Sequence, residues 1–131
     1  MHMDVRAAIA ACLCLAACSS PPPSGAGARH QNVEIPITRF CACGAWPDEG
    51  CPPYRLNEIE ALCFDAVYER FTDQIIDNTL CMERARFALD DCLFEAQPCA
   101  TCRDRWASAT TACPPIGARA QRELDICIAE R

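Results

Sequence analysis

Lysine is absent from this chain; all twelve basic residues among its 131 are arginine. Histidine is nearly absent, with only His2 and His30. His30 falls in a stretch that reads as a tether, so a Ser-His-Asp or Cys-His catalytic site inside the folded domain is not expected from the sequence. Glycine-rich phosphate loops, G-x-S-x-G, H-E-x-x-H and an EF-hand loop are also missing, and with them the chemistries they serve. No catalytic constellation is found, and no cofactor or metal is expected. The net charge is −6, with no basic stripe, which argues against nucleic acid as a partner. The main apolar run, Ala7 to Ala17, is eleven residues, about half of what a membrane-spanning helix needs.

Cysteine, by contrast, is abundant: thirteen residues, a density typical of oxidised, exported scaffolds whose small cores need staples. Export has its own signal. Arg6 followed by the Ala7–Ala17 run reads as a signal peptide over residues 1–17. Leu15-Ala16-Ala17-Cys18 resembles the lipobox of bacterial lipoproteins, an aliphatic residue, two small residues and a cysteine behind the apolar run. The resemblance implies lipidation of the Cys18 sulfur, cleavage before it and a stable anchor in the cell envelope, because two or more acyl chains hold firmly. Ser19 takes the place of the aspartate that retains some lipoproteins in the inner membrane, so an outer-membrane location, periplasmic or surface-facing, is expected. Cys12 and Cys14 leave with the signal. Ten cysteines then remain beyond the anchor, an even number that suits five disulfides.

Residues 18–40 read as the lipidated N-terminus and a disordered tether, rich in Pro, Ser and Gly from Ser19 to Ala28. Val33 to Phe40 alternates weakly and is broken by Pro36, which allows at most a short edge strand. Residues 41–131 form the expected cysteine-rich domain. It begins with a loop reaching Tyr54, and from Asn57 the apolar period becomes helical. Asn57 and Glu60 form a variant capping box, and Ile59, Leu62, Cys63, Ala66, Val67 and Phe71 make one stripe. The polar stretch Thr72 to Thr79 is read as a turn, with a continuous helix as the alternative. A second helix follows to about Ala96, a third from Pro98 to the Pro114-Pro115 pair, and a fourth with Ile116, Ala120, Leu124 and Cys127 on one side. The expected fold is all-α: about four short helices in antiparallel hairpins, stapled by disulfides.

Cys81, Cys92, Cys102 and Cys113 are symmetric about Gln97-Pro98. Eleven residues are close to three helical turns, so each outer pair shares a face. Folding at residue 97 sets Cys92 against Cys102 and Cys81 against Cys113. This layout resembles the twin-cysteine helical hairpins of the CHCH type, which space each pair one residue closer. The same reasoning about Pro114-Pro115 pairs Cys99 with Cys127, and leaves Cys41, Cys43, Cys51 and Cys63 in any of three arrangements.

Other clusters carry weaker chemistry. Cys99-x-x-Cys102 has the spacing of a redox dithiol but lacks a βαβ context. Cys41-x-Cys43 with Cys51 has one residue fewer between its paired cysteines than structural zinc sites prefer. Asp48/Glu49, Asp73/Asp77 and Asp90/Asp91 read as solvated faces, as does the Arg103-Asp104-Arg105 run beside Trp106. The expectation is therefore a membrane-anchored envelope lipoprotein acting as a structural or interaction module, its protein partner unnamed. The alternatives are a thiol-disulfide redox protein using Cys99 and Cys102, or a small-ligand-binding lipoprotein.

Overall fold

A computed structural model describes residues 24–51 and 55–129. The signal peptide, the lipobox with Cys18 and the first part of the tether lie outside the described residues. Most of those described are helical, and there is no strand among them. In chain order the helices are α1 (Gly25–Arg29), a π-helical turn (His30–Glu34), α2 (Ile35–Ala42), a 3-10 turn (Asp48–Gly50), α3 (Glu58–Arg70), α4 (Thr72–Phe94), α5 (Cys99–Thr111) and α6 (Ala118–Cys127).

The tether expected over residues 18–40 does not extend past Ser24. From Gly25 the chain is a helix that runs without a break in handedness through the π turn into α2. Its buried face is Gly25, Ala28, Asn32, Pro36 and Phe40, which recur every three or four residues. Small residues at its start permit close approach: a Cβ on Gly25 would stand 2.4 Å from the Tyr68 ring on α3. Pro36 does not end the helix. Its missing N–H and its ring, which would crowd the Asn32 carbonyl, are accommodated by the wider π turn, whose closing bond runs from Ile35 N–H to the His30 carbonyl. Tertiary burial thus overrides a composition that reads as linker. The edge strand expected within Val33–Phe40 is helix for the same reason.

The helix stops at Gly44, whose φ of +70° suits glycine at this position. Ala45 N–H bonds the Phe40 carbonyl at 2.8 Å and Gly44 N–H that of Cys41 at 3.2 Å, the two bonds of a Schellman cap. The cap turns Ala45 and Trp46 back onto Phe40. Phe40, Trp46 and Trp106 then form an aromatic group, with centroids 5.4–6.4 Å apart. Together with Ala85, Leu89, Cys92 and Cys102 they make the first core, held in the α4–α5 hairpin.

Asn57 and Glu60 do cap α3 reciprocally, each side chain 2.9 Å from the other's backbone N–H. The buried face of α3 differs from the stripe expected. Phe64, Val67 and the following Phe71 are buried, whereas Ile59 and Leu62 are exposed. The second core joins this face to Ile75 on α4 and to Ala120 and Leu124 on α6.

The turn expected over Thr72–Thr79 is replaced by the first two turns of α4; the break is Phe71 alone. The polar residues there serve as caps for a distant element. Gln74 accepts Gly117 N–H at its carbonyl (3.0 Å) and Ala120 N–H at its side-chain oxygen (3.2 Å), and the Asn78 side chain donates to the Pro114 carbonyl at 2.8 Å. The two bonds to Gln74 satisfy orphan donors at the start of α6, which has no capping side chain of its own, and the Asn78 bond satisfies a carbonyl of the segment leading into it.

Candidate functional site

Most of the expected site residues are cysteines, and all ten beyond Cys18 are paired. Cys81 is joined to Cys113 and Cys92 to Cys102, the two bridges that symmetry about residue 97 selects. Cys99 is not joined to Cys127. It bonds Cys43, and Cys127 bonds Cys63, while Cys41 bonds Cys51. The reason is the misread N-terminal helix: α2 ends against the start of α5, so Cys43 occupies the place beside Cys99, and α6 lies along α3 rather than along α5. Cys99 and Cys102 therefore belong to different bridges and share no disulfide that could open and close as a unit. Among the described residues no set of three His, Cys, Asp or Glu side chains is arranged to hold a metal ion.

The other sequence candidates are dispersed. Asp90 is bound by Arg39 and, at 3.8 Å, by Arg86. Arg103 bonds the adjacent Asp104 and the Ala45 carbonyl, and Trp106 faces the first core rather than a ligand patch.

The polar features that do converge lie on the π turn. Glu34, almost wholly buried, receives Arg29 Nη1 at 2.6 Å and the Leu56 N–H at 3.2 Å, and its other oxygen stands 3.0 Å from His30 Nδ1. Asn32, also buried, accepts the Arg86 Nε–H at 3.1 Å. Two buried polar side chains two residues apart in one short helical segment are unusual, and π-helical turns often occur where function is located. His30 is exposed, but it is not a linker residue: it is half of an i,i+4 pair with a buried carboxylate that orients its ring. No hydroxyl or thiol among the described residues is hydrogen-bonded to that ring, so the pair is not assembled as a nucleophile-activating site.

Beside the π turn lies a mostly apolar cavity of about 210 Å³, bounded by Ala28, Asn32 and Val33 on one side and by Tyr68, Thr79 and Leu124 on the other. A second, of about 390 Å³, lies across Tyr68 and Thr79, reaching Gly25, Ile75 and Ile76. The two residues shared by both walls, Tyr68 and Thr79, each carry a hydroxyl. Burial pushes the Tyr68 phenol above its ordinary value of 10.0, opposed by the nearby Thr79 hydroxyl and the Arg29 charge. The Thr79 hydroxyl is buried and makes no hydrogen bond of ordinary geometry among the described residues. Chemically, the arrangement suits a small apolar molecule with one polar group.

Sequence reasoning missed Asn32, Glu34, Tyr68 and Thr79, and gave His30 the wrong surroundings. The available signal was the spacing of residues 25, 28, 32, 36 and 40 together with the His30–Glu34 i,i+4 step. Comparison of the chain with protein-family models, with curated proteins and with solved structures gives no match.

Proposed function

We propose that this chain is a membrane-anchored envelope lipoprotein, lipidated at Cys18, whose disulfide-stapled helical domain acts outside the cytoplasm as a structural or interaction module. The observation that carries the reading is the state of the cysteines. All ten beyond Cys18 are bonded in pairs, and the five bridges reach every helix from α2 to α6. Such a framework forms and persists in an oxidising compartment, and small domains of this kind depend on it for stability. Among the described residues no helix is long and apolar enough to cross a membrane, so on this reading attachment falls to the acyl chains on Cys18.

The test is fractionation after expression in an exporting bacterial host. The native chain is expected with the membranes and Cys18→Ser either in the soluble fraction or unprocessed. Equal partitioning of both, at the same mature mass, would remove the reading. A second reading, a carrier or sensor of a small apolar ligand, is favoured by one observation, the buried Thr79 hydroxyl between two cavities. Native mass spectrometry of the purified protein should then find a small molecule retained by the native chain and lost from Thr79→Val.

A further inference from the structure

The face of α4 that points away from both cores carries a second apolar pattern. Leu80, Phe87 and Phe94 are 41%, 51% and 92% exposed, and they recur every seven residues. Seven residues are nearly two helical turns, so the three form one stripe about 21 Å long. Ile75, Thr79, Ala85, Leu89 and Cys92 bury the rest of the helix, so the stripe is additional to the core rather than part of it. Arg86 lies over the Phe87 ring, 4.5 Å from its centroid, yet half of Phe87 remains exposed.

The charges beside the stripe are arranged about its centre. Arg84 and Asp91 follow the apolar residues at steps of four, both exposed, both on the same flank, and neither has an ion-pair partner among the described residues. Phe87 is midway between Leu80 and Phe94, and nearly midway between Arg84 and Asp91. A two-fold axis through Phe87 sets an antiparallel second helix so that Leu80 meets Phe94 and Phe87 meets itself. The same operation keeps each flank facing its own copy, which brings Arg84 of one chain level with Asp91 of the other, twice. On the opposite flank Glu83 comes level with Asp90 of the second copy, whose charge is already countered by Arg39 and Arg86. A self-complementary patch of this kind is what an isologous dimer requires.

We propose that α4 is a self-association surface: two copies of this chain pair antiparallel through Leu80, Phe87 and Phe94, with reciprocal Arg84–Asp91 ion pairs. The inference gives the interaction module a partner, a second copy of itself. It does not depend on the Cys18 anchor, so its failure leaves the fractionation test of that anchor untouched. The contact is small, and confinement of both copies to one membrane would raise their effective concentration.

The test uses the full chain, produced in an exporting host and purified as processed, with its mass measured by sedimentation at tens of micromolar. The native chain is expected at twice the monomer mass. Arg84→Asp and Asp91→Arg, each at an exposed position, should be monomers with the dissociation constant raised on the order of tenfold or more, because each places like charges opposite one another. An equimolar mixture of the two variants should recover the dimer, as should the doubly exchanged R84D/D91R chain. A native chain that is monomeric throughout overturns the proposal. So do single variants that dimerise as tightly as the native chain, or a mixture that stays monomeric while each variant keeps its helical circular dichroism and five bridges. Purification of a different protein on the stripe in place of a second copy would overturn it as well.

Discussion

The two cores are built differently. The first, around Phe40, Trp46 and Trp106, lies between α2 and the α4–α5 hairpin, and three bridges gather at its end of the molecule: Cys92–Cys102, Cys43–Cys99 and Cys41–Cys51. The second, between α3 and α6, has a single bridge, Cys63–Cys127, and borders both apolar cavities. Bridges limit local opening, and a ligand site needs some freedom to open. The contrast is one of bracing: the aromatic end is cross-linked on several sides, and the Tyr68 end holds the cavities with one bridge beside them.

Breaking the first region should have the largest effect. Phe40 is fully buried, and Phe40→Ala is expected to cost about 3–5 kcal/mol by leaving a cavity among aromatic rings. Both tryptophans of the chain are in this core, so their fluorescence reports on it alone and should shift to the red at the same lowered denaturant midpoint.

Breaking the second region should give a smaller and more local loss. Cys63→Ser/Cys127→Ser removes its only bridge and is expected to cost roughly 2–4 kcal/mol. Helical circular dichroism should then begin to fall before the tryptophan signal changes. Coincident transitions would show that the two cores unfold as one unit and that the contrast has no energetic content.

The smallest effect sharpens the contrast through pH. The folded state holds the Tyr68 proton more tightly than the unfolded chain does. The stability this contributes is complete below the ordinary phenol value and is lost as pH rises through the raised value. Thermal unfolding of the native chain should accordingly weaken above about pH 10, and Tyr68→Phe should flatten that decline. An identical alkaline decline in both proteins would mean that the phenol is not held protonated by burial.

How much of this was legible in the sequence follows the same division. The Cys81–Cys113 and Cys92–Cys102 bridges could be read because helical rise and the symmetry about residue 97 are local geometry, and the Asn57–Glu60 box because it spans a single turn. Residues 25–42 could not, because Gly, Pro and Asn have poor helix propensity and the burial that stabilises the segment comes from α3, α4 and α5. That one misreading propagated. With no helix expected ahead of Cys43, nothing in the sequence brings it to Cys99, and Cys127 falls to the residue left over. The cavities were illegible for another reason: their walls come from α1, the π turn, α3, α4 and α6, and meet only in the folded chain.

The central claim is that the helix from Gly25 to Ala42 is part of the fold, since it alone brings Cys43 to Cys99 and frees Cys127 for Cys63. Tryptic mapping of the unreduced protein tests it directly, because arginine separates the relevant cysteines. Peptide 40–55 should be found joined to 87–103, peptide 71–84 to 106–119, and peptide 56–70 to 123–131, as three separate pairs. Peptide 123–131 joined instead to 87–103 would place Cys127 on the α5 hairpin and contradict the account.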